Sequence, residues 1–468
     1  MSAYLTFLDQ KVRMAPAVGF DPVDSLMPAA IKPFQRDIVT WACRRGRAAV
    51  FAGTGLGKTI QELTWAQQVT EHTGGRVLLF TPLAVAEQTV AEAAKFGIDG
   101  VAYAKDEASI STPIVVTNYD RRQHFDPADF AGVVLDESGI IKDHDSRTRN
   151  DLTEGCRDVP YLLCGSATPA PNDWTELGQH AEFLNVMSAK EMLAMFFVHD
   201  GAVRANAEEE WRLKRHAAAD FWRWVASWSV MIRHPRDLGY DEPGYDLPPL
   251  DMRQVTVKAS MAPAGGMLFP MQANTMQERL AARRDSIAER VAEAARLVAE
   301  APDEPWLIWC NLNAEADALV KAIPGAVNVQ GSDAPELKSK RLLGFARGEP
   351  RIMVSKPSIA GRGMNWQHCS RMIFVGLNDS FEQLFQAVRR CWRFGQSKPV
   401  TAYLIASDME GAVVANLRAK EAKYEAMAEA MVEHMRDLST AAVRGGRVSA
   451  STYSPTQTME VPAWLTAA

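Results

Sequence analysis

Short apolar runs without polar alternation recur along this chain, each separated from the next by a stretch of helical periodicity. No other feature limits the fold as much. One group of runs occupies residues 48–52, 77–80, 114–116, 133–135 and 161–164, and a second occupies 306–309, 326–329, 351–354, 372–375 and 400–405. A strand with one wet face alternates, whereas a run that is apolar throughout is buried on both faces, as in a parallel sheet covered by helices. The expectation is therefore an α/β protein with two parallel sheets. Its 468 residues, 47% of them hydrophobic, suffice for two or three cores.

Between the two groups, from residue 181 to about 240, helix formers take over, with Trp211, Trp222, Trp224 and Trp228 among them. Phe221, Val225, Trp228 and Ile232 fall on one helical face, which reads as a helical insert with an aromatic core. The other reading is a set of rings on which bases stack. Asp246-Leu247-Pro248-Pro249 reads as a linker, residues 276–301 as one long amphipathic helix, and 411–435 as a helix rich in Ala, Glu and Lys. The tail from Ser439 reads as mobile.

The net charge of −6 argues against a protein that merely coats nucleic acid. Lys and Arg are nevertheless clustered, as at Arg121-Arg122, Arg283-Arg284 and Arg389-Arg390, a pattern that most simply gives solvated faces. The six cysteines have no metal-ligand spacing and read as reduced, buried thiols. Residues 1–20 lack a basic start followed by an apolar run, and no stretch is long and apolar enough for a membrane helix. A cytoplasmic protein with no membrane partner is expected.

The sharpest local signal is Ala52-Gly53-Thr54-Gly55-Leu56-Gly57-Lys58-Thr59, which follows an expected strand and opens an expected helix. That context marks a phosphate loop, with Ala52 standing where the strict pattern has glycine. Gly53, Gly55 and Gly57, with Thr54, let backbone N–H groups approach phosphates, and the helix N-terminus adds positive potential. Lys58 is the candidate contact to the β- and γ-phosphates of ATP, and Thr59 the candidate Mg²⁺ ligand. A strand end supplies Asp136, to hold the hydrated Mg²⁺, and Glu137, to orient and deprotonate water. In the second half, Arg390 and Arg393 lie one helical turn apart, and two guanidinium groups on one face can stabilise phosphoryl charge across a cleft.

The order of these motifs resembles helicase superfamily two, and within it the Swi/Snf-type DNA translocases, over residues 30–415. The resemblance implies two RecA-like P-loop NTPase lobes with a helical insert between them. It places an N-terminal extension and first lobe at 1–185, insert and linker at 186–250, the second lobe at 251–415, and a helix and tail at 416–468. It implies that Gln35, in Lys32-Pro33-Phe34-Gln35, reads adenine, and that Gly363 and Gln386 also border the nucleotide. Thr81 and Pro82 resemble motif Ia, Thr117 and Asn118 motif Ib, Ser166 and Thr168 motif III, and Ser355 the start of motif V. In the family these face nucleic acid or couple it to the nucleotide. Arg393-Phe394-Gly395-Gln396 has the ending of the Swi/Snf branch. Three positions depart from the family pattern: Ser138-Gly139 after the acidic pair, Arg362 at a glycine position, and Arg389 where the branch carries an acid.

The expected function is ATP-driven movement along DNA, or its remodelling, with DNA preferred over RNA as partner and protein partners left open. A strand-separating DNA or RNA helicase is the alternative within the enzymes. An ATP-gated nucleic-acid-binding switch is the alternative outside the motors.

Overall fold

The computed structural model describes residues 14–83, 85–143, 146–171, 173–200, 210–258, 283–360, 364–376, 378, 380–408 and 411–444. Its strands, in chain order, are β1 (Arg47–Ala52), β2 (Val77–Thr81), β3 (Val101–Tyr103), β4 (Ile114–Asn118), β5 (Gly132–Asp136), β6 (Tyr161–Ser166), β7 (Phe197–Asp200), β8 (Glu210–Leu213), β9 (Ser229–Ile232), β10 (Leu250–Val257), β11 (Trp306–Cys310), β12 (Ala326–Val329), β13 (Ile352–Ser355), β14 (Arg371–Val375) and β15 (Val400–Ser407).

Two parallel sheets carry the chain, one per RecA-like lobe. The first has the order β3-β4-β2-β5-β6-β1-β9 and the second β10-β15-β14-β11-β13-β12. Residues of β2, β4 and β5 are buried throughout, as their unbroken apolar runs require when helices cover both faces. β1 and β5 are separated by β6, so the loops that follow these three strands open side by side at the carboxyl edge of the first sheet. Ligands of open parallel sheets are bound at such an edge.

The segment expected to be a helical insert contains three strands. Its helix stops at Ala226, and the chain then enters β9, which pairs in parallel with β1 and closes the edge of the first sheet. Residues 186–228 also hold the antiparallel hairpin β7–β8. A four-residue strand directly behind a tryptophan-rich helix prolongs the apolar pattern of that helix, so periodicity alone merges the two. The aromatic-core reading holds for Trp222, Trp224 and Trp228, which are buried, while Trp211 on the hairpin is 36% exposed. In the second lobe the helix expected over 276–301 is described as Ile287–Glu300, and residues 276–282 lie outside the described ones.

The helix Gly411–Val443 leaves the second lobe after β15 and crosses back to the first. There it packs on the helix Ala218–Ala226, on β9 and on the helix Pro33–Arg45. His434 stacks on Trp222 with ring centroids 5.3 Å apart. The tail expected from Ser439 begins as helix through Val443, and residues 445–468 lie outside the described ones. Further contacts join the lobes. Lys142 pairs with Glu382, Arg233 with Glu425, and Ser339 Oγ donates to Glu87 Oε2 at 2.8 Å. Among the described residues no helix is long and apolar enough to cross a membrane.

Candidate nucleotide site between the lobes

The loop after β1 turns on two glycines with positive φ, Gly55 at 91° and Gly57 at 77°. A Cβ on Gly57 would stand 2.3 Å from Gln35 Nε2, so this position has neither the backbone freedom nor the space for another residue. The helix Lys58–Thr73 starts directly behind it, with its first N–H groups facing the loop. Gly53 N donates to Ile232 O at 2.9 Å, which anchors the loop to β9.

Lys58 Nζ lies 3.5 Å from Ala52 O and 3.9 Å from Glu137 Oε1. Glu137 itself sits at φ 54°, a left-handed conformation that a non-glycine residue occupies at a cost of about 1–3 kcal/mol. Tyr119 Oη donates to Asp136 O at 2.6 Å and fixes the end of β5. Burial, and then the neighbouring Glu137 carboxylate, push the Asp136 carboxyl up to about 7, against the pull of Lys58. Glu62, on the helix Lys58–Thr73, is a further buried carboxyl at this centre. Burial, and next Asp136, raise it well above the usual carboxylate range. Its Oε1 has no hydrogen-bond partner among the described residues and packs against Gly165, where a Cβ would approach it to 1.9 Å.

From the second lobe, the helix Phe381–Val388 and the turn after it bring Arg390 and Arg393 to the same place. Arg390 is held by its own turn: Nε donates to Gln386 O at 2.8 Å and Nη2 to Gln386 Oε1 at 3.0 Å. Burial and the nearby Arg393 lower its pKa to about 9, and the Glu137 carboxylate opposes them. Burial likewise lowers the pKa of Arg393, against the carboxylates of Glu92 and Glu137. Arg393 Nη1 donates to Met364 O at 3.3 Å, while its buried Nε has no partner among the described residues. Carboxylates of the first lobe therefore act on both guanidinium groups, and the two lobes form one site.

This site fits a magnesium triphosphate. Among the described residues, Thr54 Oγ1 in the loop and Arg393 Nε in the second lobe are buried without partners. Lys58 makes only long contacts, and the crowded carboxyls of Asp136 and Glu62 call for a cation. Thr59 is half-buried in the first turn of the helix Lys58–Thr73, and Asp136 is buried at the end of β5.

Other residues singled out in the sequence are placed differently. Gln35 is 4% exposed; its Nε2 donates to Leu56 O and its Oε1 accepts from Lys32 N, both at 2.9 Å, so its amide braces the phosphate loop. Gln386 orients Arg390, as described above. Thr81, Thr117 and Asn118 are buried at the ends of β2 and β4. Thr81 Oγ1 donates to Thr117 O, Thr117 Oγ1 to Ala104 O, and Asn118 Nδ2 to Tyr103 Oη. Pro82 follows in the loop, beside Leu83, which is 62% exposed. Ser166 Oγ accepts from Thr168 N at 3.1 Å, and Ser355 Oγ donates to Val329 O at 3.0 Å. Gly363 lies outside the described residues. Ser138, the departure beside the acidic pair, is buried and lies 3.1 Å from His180 Nε2.

No curated relative matches the sequence. A solved structure of the SWI2/SNF2 ATPase core of Sulfolobus solfataricus in complex with dsDNA is similar over 91% of this chain and 98% of that one, at 16% identity and a TM-score of 0.40. Residues 289–395, from the helix before β11 through the turn that carries Arg390 and Arg393, match the helicase conserved C-terminal domain.

Proposed function

We propose that this chain is an ATP-hydrolysing nucleic-acid motor of the Swi/Snf branch of helicase superfamily two, acting on DNA. The observation that carries the reading is the convergence of Arg390 and Arg393 from one lobe and Lys58 from the other on the same carboxylate, Glu137. Lys58 and the loop N–H groups bind the phosphates, and Thr59 and Asp136 would hold Mg²⁺. Bound Mg²⁺ would neutralise charge on the β- and γ-phosphate oxygens. Glu137 accepts a proton from water as the water oxygen attacks the γ-phosphorus, and the bond to the bridging oxygen breaks to release ADP. Arg390 and Arg393 stabilise the charge that develops on the transferring group. Because each lobe supplies part of this set, binding favours closure and product release favours opening. Alternation of that kind drives loops at the carboxyl edges of both sheets along a phosphate backbone.

The test is steady-state ATP hydrolysis without nucleic acid and with duplex DNA, single-stranded DNA and RNA, with Glu137→Gln as the control. Stimulation greatest with duplex DNA supports the reading. Turnover indifferent to every nucleic acid overturns the motor, and turnover unchanged in Glu137→Gln removes the assigned base.

A further inference from the structure

Arg389 immediately precedes the two cleft arginines but belongs to a different environment. Its guanidinium carbon lies 4.3 Å from the ring centroid of Trp392 and 4.9 Å from that of Phe385. Burial lowers its pKa to about 10, against the attraction of Tyr424 and Glu425. Tyr424 comes from the helix Gly411–Val443, and its ring centroid lies 5.2 Å from that of Phe385 and 5.5 Å from that of Phe381. Its hydroxyl then leaves the second lobe and donates to Ala167 O at 3.1 Å, in a buried hydrogen bond. Ala167 stands between Ser166 and Thr168, in the loop after β6 that also packs against Gly139 beside the acidic pair. The ion pairs Lys142–Glu382 and Arg233–Glu425 span the same boundary between the lobes.

A single hydroxyl thus links the loop after β6, next to Asp136 and Glu137, to the segment that aims Arg390 and Arg393. One neutral hydrogen bond is weak enough to be made and broken in each cycle, and its loss leaves the aromatic packing intact. We propose that Tyr424, seated against Arg389 and Phe385, is a positioning residue that ties the β6 loop of the first lobe to the arginine pair of the second. Through this tie the state of that loop sets the placement of Arg390 and Arg393. The proposal deepens the motor reading and rests on it.

Tyr424→Phe in the full chain is the test, because it keeps the ring and removes only the hydroxyl. The melting temperature should change by less than about 3 °C. With duplex DNA, kcat should fall about ten-fold while KM for ATP stays within about two-fold of wild type. Amide exchange over residues 164–170 should rise in the protein without nucleotide. Arg389→Gln should act alike, and the double variant should be no worse than the more impaired single one, since both disable one unit. Unchanged kcat with unchanged exchange overturns the tie. So does a parallel loss of kcat, ATP affinity and melting temperature, which marks plain structural damage, and so does an additive double variant. Failure of the motor reading is separable: wild type without a response to DNA refutes the motor, and the tyrosine is then judged on basal kcat. Wild type without hydrolysis refutes the ATPase, and exchange over residues 164–170 alone then decides.

Discussion

A Cβ on Gly55 would stand 2.9 Å from the backbone nitrogen of Phe394, so the phosphate loop of one lobe closes directly onto the residue after Arg393 in the other. Phe394 in turn lies against Tyr245, with ring centroids 4.6 Å apart, just before the linker enters β10. At Gly55 the cleft therefore closes backbone against backbone, with no side chain there to hold it open. Gly55→Ala should add strain at φ 91° of about 1–3 kcal/mol and push Phe394 and Arg393 outward. A displacement of about 1 Å at a reacting centre can cost roughly a hundred-fold, so kcat should fall by at least ten-fold. Steady-state ATP hydrolysis and a thermal melt check this, and full activity would show that the lobes need not close on Gly55.

Arg390 and Arg393 are held differently, and that difference is itself a prediction. Arg390 is braced by Gln386, whereas Arg393 keeps a buried Nε without a partner among the described residues and is the freer to meet a phosphoryl oxygen. Arg393→Ala should lower single-turnover hydrolysis roughly a thousand-fold, at the low end of what such arginines contribute, with ATP affinity nearly unchanged. Gln386→Ala should act only through Arg390 and cost less. Equilibrium binding of a fluorescent ATP analogue separates the two effects. A loss of affinity without a loss of rate would assign Arg393 to ground-state binding.

His180 carries a pH prediction. It is fully buried beside Ser138 and edge-on to Phe51 at 5.2 Å, and burial lowers its pKa to about 4. The unfolded chain binds a proton on this imidazole below about 6.5, while the folded chain resists it until about 4. The unfolded state therefore holds more protons across that window, and stability rises with pH there. The contribution is complete above about 6.5 and is lost as pH falls to about 4, a change on the order of 3 kcal/mol. Urea unfolding at pH 7 and pH 4.5, with His180→Gln for comparison, checks it; the variant should show a shallower loss on acidification.

The two first-lobe segments that the proposed site draws on were legible because each is contiguous. Ala52 to Thr59 and Asp136-Glu137 each lie within one strand end and the residues that follow, as the structure has them. Three of the edge strands were not. β3 is three half-buried residues, β10 alternates between half-buried and exposed, and β9 hides behind the tryptophans that precede it. Glu62 left a faint trace, a carboxylate four residues after Lys58 on a helix whose neighbouring positions Leu63, Trp65 and Ala66 are buried and apolar. Tyr424 left none, because Ala167 reaches it only through the return of a helix across both lobes. Thr81, Thr117 and Asn118 show the opposite limit. Motif order names the loop, but whether a hydroxyl faces outward depends on neighbouring strands, here Ala104 and Tyr103 on the strand at the sheet edge and the loop after it.

The second lobe carries a fully buried ion pair, Arg290–Glu315, at 2.7 Å with both side chains inaccessible. It closes the top of the sheet. Glu315 Oε2 accepts from Asn311 N and Leu312 N at 2.9 Å, Arg290 Nε donates to Ser286 Oγ at 3.1 Å, and Asn311 Nδ2 donates to Gly376 O at 2.8 Å. A Cβ on Gly376 would come within 2.5 Å of Glu315 Oε1, so the ends of β11 and β14 are fitted around the pair. Removing one partner strands the other charge in a dry interior, which costs more than the pair contributes when intact. Glu315→Ala should therefore destabilise the lobe by about 3–5 kcal/mol, and Glu315→Leu combined with Arg290→Met should recover much of that loss. Chemical unfolding of the three proteins decides. A single variant as stable as wild type would mean that water reaches Arg290, against its burial.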